Sequence, residues 1–182
     1  MDRVPFRATV GAALYQDLRL PVTIILDNVR SMYNVGSFFR TGDGAGIEQL
    51  ILSGITARPP HKGIAKTALG AEERVRWRGV ESSLDELDNL RSSGHEIAAI
   101  ETSNRAVDIF DWQPRFPVCV LFGHEVDGLD PRLLQACDTH VRVPMLGLKH
   151  SLNVASAGAI VIYELLRKYR SLHSNQLIGR QA

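Results

Sequence analysis

The chain has 182 residues, 45% of them apolar and 23% charged, and a formal net charge of +1. Those values argue against a disordered chain and a coiled coil, by themselves say nothing for nucleic acid, and suit one globular domain over residues 1–182. The opening MDRVPFRATVGAALYQD lacks a signal-peptide core, no apolar run approaches the roughly 20 residues of a membrane span, and the two cysteines form no CxxC pair; a cytoplasmic protein without disulfide or metal is expected.

In chain order, apolar runs bounded by turn residues predict strands at Val22–Leu26, Gln49–Leu52, Ile97–Ile100, Val118–Phe122 and His140–Val143. Runs that are apolar throughout, rather than alternating, belong to parallel sheets covered on both faces, so the class is α/β. Helix-like segments fall between them. Asn34 is expected to cap the first, NVGSFFRT, and Ser83 with Glu86 forms a capping-box pattern for a helix that Gly94 closes. Asp130-Pro131 is an N-cap followed by proline at the first helical position. A last helix is expected from about Leu152 to Tyr169, with its basic tail at the favourable end of the dipole and frayed residues from about 173 onward.

Two readings compete for LDNVRSMYNVGSFFRTGDGAG. Gly42, Gly44 and Gly46 are spaced like part of a dinucleotide fingerprint, but they follow a helix-like segment instead of a strand and read better as its exit. The polar residues ahead of them, Asn28, Asn34 and Arg40, lie past the end of a buried parallel strand, where ligands bind. A second cluster, LFGHEVDGLDP, carries Gly123 and Glu125 after another strand, and a plain turn with a solvated glutamate explains it equally well on local grounds. The third, VPMLGLKHSLNVASAG, again runs from strand to loop to helix. Polar residues at the ends of three strands point to one convergent pocket. Between Arg58 and Arg78 lie six Lys/Arg (Arg58, Lys62, Lys66, Arg74, Arg76, Arg78) against two acids, Glu72 and Glu73: either a solvated face or a phosphate-contacting surface.

The stretches DNVRSMYNVGSFFRT, LFGHEVDGL and VPMLGLKHSLNVASAGAIVIYE resemble, in order and approximate spacing, the three motifs of SpoU-type (TrmH-like) RNA 2′-O-ribose methyltransferases of the SPOUT superfamily. The resemblance runs from about Val22 to Tyr169. It implies a parallel-sheet three-layer α/β sandwich whose C-terminal part forms a deep trefoil knot, S-adenosylmethionine as methyl donor, tRNA or rRNA as substrate, a homodimer and no metal. By position it assigns Asn34, Arg40, Glu125, Ser151 and Asn153 to catalysis. Thr102, Leu121, Phe122, Gly123, Val143, Met145, Ser151, Leu152 and Asn153 are assigned to the cofactor.

With that function implied, the basic stretch becomes an RNA surface of Arg58, Lys62, Lys66, Arg74 and Arg76, extended by Lys149 and the N-terminal arginines. Glu125 and Asn34 are expected to orient Arg40, which either accepts the hydroxyl proton or stays charged on a phosphate. His124 departs from the smaller polar residue usual in the family, and with His150 is read as lying behind the reacting groups or facing RNA. The face Ala155, Ala157, Gly158 and Ile162 of the last helix is expected to meet the second subunit. A chain without an appended RNA-binding domain favours a compact tRNA-type enzyme. Two rivals remain: a non-catalytic RNA-binding member of the fold, which would lose polar motif residues, and a Rossmann-type nucleotide enzyme, which needs glycines between strand and helix.

Overall fold

Among the described residues, seven parallel strands form a single sheet in the order β3-β2-β1-β6-β4-β7-β5. The computed structural model describes residues 19–173, so the N-terminal arginines and nearly all of the expected frayed tail lie outside the described residues. The strands are β1 (Leu20–Asp27), β2 (Ile47–Ser53), β3 (Trp77–Val80), β4 (Glu96–Ile100), β5 (Val107–Asp108), β6 (Val118–Phe122) and β7 (Thr139–Arg142). The helices are α1 (Met32–Ala45), α2 (Lys62–Ala68), α3 (Ser83–Ser92), α4 (Pro131–Ala136) and α5 (Val154–Leu172).

Why the strands are apolar throughout is visible in how their side chains divide. Ile24, Leu26, Val118, Val120 and Phe122 join one core with Phe38, Phe39, Val161, Ile162 and Leu165 from α1 and α5. Their neighbours Ile25, Cys119 and Leu121 point the other way, into a second core with Leu87 and Leu90 of α3 and Leu133 of α4. This is a three-layer sandwich, and each fully buried Ile or Leu contributes about 1.5–3 kcal/mol relative to an exposed one. The five predicted strands are present within two residues at each end; β3 and β5, at the two edges, were not predicted because they carry few apolar residues.

The order places β7 between β4 and β5, although β4 and β5 are consecutive in the chain. Such interleaving is compatible with the threaded knot that the resemblance implies. The Lys168 ammonium of α5, buried, donates to the main-chain carbonyls of Ile109, Phe110 and Trp112, and so ties the last helix to the β5–β6 connection. No helix among the described residues is long and apolar enough to cross a membrane.

Three helix starts differ from expectation. Ser31, not Asn34, caps α1, its hydroxyl accepting the Asn34 amide at 3.3 Å. Ser82, not Ser83, caps α3; Ser83 instead donates to the buried Asp27 carboxylate, and Glu86 binds Arg78 in place of closing a capping box. The last helix begins at Val154 with Asn153 as its cap. In each case a short polar side chain one to three residues away fits the extended N-cap backbone better. Asp130 caps α4 ahead of Pro131, as predicted.

Candidate active site

β1 and β6 are neighbours in the sheet, and the segments leaving their carboxyl ends face each other. After β1 the chain turns at Asn28 and delivers the amides of Arg30 and Ser31 at the N-terminus of α1. After β6 it delivers Glu125. The Glu125 carboxylate accepts from the Arg30 amide through Oε2 and from the Ser31 amide through Oε1, each at 3.1 Å. It also accepts from Asn34 Nδ2 at 3.1 Å. A negative charge at a helix N-terminus is where backbone donors and the macrodipole both favour it. Burial pushes the Glu125 carboxyl up, but the bonds from the Arg30 and Ser31 amides and from Asn34 outweigh it and hold the group below the usual glutamate range.

The chain of bonds continues into the third motif. Asn153 Nδ2 donates to Asn34 Oδ1 at 3.1 Å, while Asn153 Oδ1 accepts the amides of Ala155 at 2.9 Å and Ser156 at 3.3 Å. Every orientation in this series is forced. The ionised carboxylate accepts only, so Asn34 must turn its amide nitrogen to it; its oxygen then takes a donor from Asn153, whose own oxygen is left to cap α5. Glu125, Asn34 and Asn153 are thus one connected unit built from three distant parts of the sequence.

Glu125 and Asn153 border a cavity of about 550 Å³ at the carboxyl ends of β4, β6 and β7, and Asn34 bridges the two from outside its wall. Of the residues expected to hold a cofactor, Thr102, Phe122, Gly123, Val143, Met145, Ser151, Leu152 and Asn153 line it. Leu121 does not, because its side chain lies in the core on the α3/α4 face. Gly123 admits no side chain: a Cβ there would stand 2.4–2.6 Å from backbone atoms of Gly128 and Leu129. That close approach is the two-bond bridge between His124 and Gly128, which folds the loop back beside Glu125. His124 serves the same loop, its Nδ1 accepting the amides of Val126 and Asp127 while lying 3.0 Å from the Asp127 carboxylate. His150 lines the cavity.

Arg40 stands apart. It is exposed on α1 and its guanidinium forms no hydrogen bond or ion pair among the described residues, so neither Glu125 nor Asn34 orients it. Six helical residues carry it about 9 Å along the axis from Asn34 and about a third of a turn around it. Ser151 is exposed at the cavity wall with its hydroxyl unbonded among the described residues. Two contributors escaped the sequence reading. The Ser31 amide was signalled by the serine preference at N-caps. Glu101 ends β4 beside Thr102 and binds the Thr102 amide at 2.9 Å and the Leu129 amide at 3.4 Å, tying β4 to the second motif; its place at a strand end was the available signal.

Among known families, the model of the SpoU rRNA methylase family matches residues 21–163. The chain belongs to the SpoU rRNA methylase family. A putative TrmH family tRNA/rRNA methyltransferase of Staphylococcus epidermidis is 31% identical over 154 residues, which are 85% of this chain and 61% of that protein. The Staphylococcus haemolyticus counterpart is 29% identical over 86% of this chain and 62% of its own length. The chain therefore spans about three fifths of the curated relatives it matches. An AdoMet-bound rRNA methyltransferase of Sinorhizobium meliloti superposes with a TM-score of 0.76 at 28% identity, covering 84% of this chain and 59% of that one. The TrmH/SpoU tRNA modifying enzyme of A. aeolicus shares the fold with a TM-score of 0.77 at 24% identity, over 86% of this chain and 78% of that one.

Seen as a SpoU methylase, the basic stretch divides. Arg58 turns inward, its guanidinium packed on Gly79 and donating to the Val80 carbonyl at 2.8 Å, and Arg78 forms a two-bond pair with Glu86. Lys62, Lys66, Arg74, Arg76 and Lys149 are exposed, Lys66 lying 5.7 Å from the Tyr33 ring centre. The α5 face expected to meet a second subunit is occupied within the chain: a Cβ on Gly158 would fall 2.3 Å from the Phe38 ring of α1, and Ile162 is fully buried.

Proposed function

We propose that this SpoU methylase transfers a methyl group from S-adenosylmethionine to a ribose 2′-hydroxyl of tRNA or rRNA. The observation that carries the reading is the Glu125–Asn34–Asn153 chain of hydrogen bonds at the edge of a cavity suited to a cofactor. Support also comes from a solved RNA 2′-O ribose methyltransferase that superposes with a TM-score of 0.75 at 26% identity, over 92% of this chain and 62% of that one.

The cavity fits the cofactor. Its volume of about 550 Å³ lies within the range of small-molecule sites, and its wall alternates apolar side chains (Phe122, Val143, Leu152) with polar ones (Thr102, Ser151). When bound, the sulfonium supplies an electrophilic methyl group. The chain's own part is positional: in-line transfer needs the acceptor oxygen held in alignment near contact distance. Asn34 and Asn153, fixed in orientation by the carboxylate of Glu125, present rigid amides toward the ribose, and Ser151 adds a free hydroxyl. Arg40, exposed and unpartnered among the described residues, grips the neighbouring phosphate, the role a planar guanidinium suits best. The competing role, proton acceptor, separates on a pH-rate profile: Arg40→Lys with retained activity and an unchanged profile rules it out.

The homodimer belongs to the same reading, now carried by the 144–152 loop instead of α5. Leu146 and Leu148 are 100% and 97% exposed there, an arrangement that a second copy would cover. A monomeric sedimentation profile at micromolar concentration defeats it. For the activity, labelled methyl transfer to bulk tRNA and rRNA followed by mapping of the modified ribose is the decisive measurement. Calorimetry with no uptake of S-adenosylmethionine or its demethylated product sinks the proposal; uptake without transfer to either RNA favours a non-catalytic binder.

A further inference from the structure

We propose that a second cavity, of about 470 Å³, is a nucleobase subsite that selects guanine in the RNA. It lies where the start of α2, the turn Ala71–Glu73 and the edge strand β3 meet, and its walls include Pro60, His61, Lys62, Glu72, Glu73 and Trp77. The proposal rests on the reading of this chain as an RNA methyltransferase, and it adds to that reading a site separate from the methyl-donor cavity.

Trp77 supplies the stacking surface. Its indole is half-buried and meets the Phe39 ring edge-on, 6.4 Å between centres and 89° between planes, so it is held in place rather than free to swing. The other tryptophan, Trp112, is buried with its Nε1 donating to Glu96, which leaves Trp77 as the indole open to a base. Aromatic faces of this kind take single-stranded bases without regard to sequence. Phe39, the ring that braces Trp77, directly precedes Arg40 on α1.

Charge supplies the selectivity. Within the basic stretch Arg58–Arg78 the two acids are Glu72 and Glu73, and both line this cavity. A carboxylate weakens a phosphate-gripping surface unless it meets a donor. Glu72 already accepts the Gly70 amide at 3.0 Å, whereas the Glu73 carboxylate has no hydrogen bond or ion pair among the described residues. A carboxylate accepts two parallel N–H bonds, and guanine is the base whose Watson–Crick edge presents two adjacent donors, N1–H and N2–H. Adenine and cytosine offer one amino group there, and uracil sets one donor between two repelling carbonyls. Lys62 at the rim and the exposed Arg74 and Arg76 hold the backbone on either side.

The test titrates the full chain at low salt with uridine heptamers whose central nucleotide is uridine, cytidine, adenosine or guanosine, reading tryptophan fluorescence. The guanosine heptamer is expected to quench the signal and to bind about tenfold tighter than the others. Glu73→Gln should shrink that advantage to within about threefold, and Trp77→Phe, which keeps an aromatic ring against Phe39, should abolish the quench. Equal affinity for the four heptamers, preference for another base, or a quench that survives Trp77→Phe overturns the subsite while leaving methyl transfer untouched. Guanosine preference in a chain that methylates no RNA would instead remove the activity and leave the subsite standing.

Discussion

Asn153 Nδ2 donates to Asn34 Oδ1 across 3.1 Å, although 119 residues separate the two in sequence. One asparagine therefore does two jobs, capping α5 with its oxygen and fixing Asn34 with its nitrogen. Asn153→Asp separates them. Aspartate caps a helix as well as asparagine does, so the melting temperature should hold within a few degrees, but it has no donor for Asn34 and sets a second carboxylate near Glu125. Methyl transfer should fall at least tenfold, about 1.4 kcal/mol of transition-state stabilisation. Loss of activity only in step with loss of fold would refute the dual role.

Glu125 makes a prediction about acid. Its folded carboxyl is held below the usual glutamate range, so the stability it contributes is fully present above the unfolded value of about 4.3 and disappears as pH falls through the lower folded value. Wild type should lose melting temperature more steeply than Glu125→Gln as pH is lowered beneath about 4.3. Glutamine also turns a donor toward the Arg30 or Ser31 amide, so at neutral pH the variant should be slower in methyl transfer. Parallel melting curves for the two proteins throughout the acid range would contradict the assignment.

Gly123→Ala places a methyl group against the backbone of Gly128 and Leu129, where nothing flexible can yield. Overpacking of this kind costs about 1–3 kcal/mol. Because the displaced backbone is the cavity wall, affinity for S-adenosylmethionine, measured by calorimetry at a temperature where the variant is folded, should drop more than that of Gly70→Ala, which strains a left-handed backbone (φ 90°) outside the cavity wall but meets no neighbouring atom.

Lys168→Met leaves the carbonyls around the buried ammonium without their donor. Leaving buried acceptors unsatisfied costs about 1–3 kcal/mol, measurable by denaturant titration. Exposed cations behave oppositely: Lys62→Glu with Arg76→Glu should leave the denaturation midpoint in place and weaken RNA binding, flattening its dependence on log salt by roughly 0.7 per lost phosphate contact on single strands.

Much of this fold could be read from side-chain character alone. β1 and β6 are flanked on both faces, so their residues are nearly all apolar, and that left an unmistakable trace. β3 and β5 are edge strands, and WRGV and VD carry no such trace. Of the site, the convergence of Asn34, Glu125 and Asn153 was legible because each lies past a strand end. What sequence could not supply was direction: Arg40 shares a helix with Asn34 but leaves it on another side, and Gly158 found its close neighbour in Phe38 of its own chain. Helix starts were missed by one to three residues because several serines and asparagines compete for each cap, and backbone geometry decides among them.

The place of β7 in the sheet also dictates an order of assembly. β5, at Val107–Asp108, pairs with β7 alone among the described strands, yet β7 spans Thr139–Arg142 and so leaves the ribosome later. Until that later segment arrives, the edge has nothing to dock against and the β4–β5 connection has nothing to close around. Maturation of the large cavity, whose wall includes Val143 and Leu152, is thereby deferred until the stretch from Thr139 to Leu152 has been made.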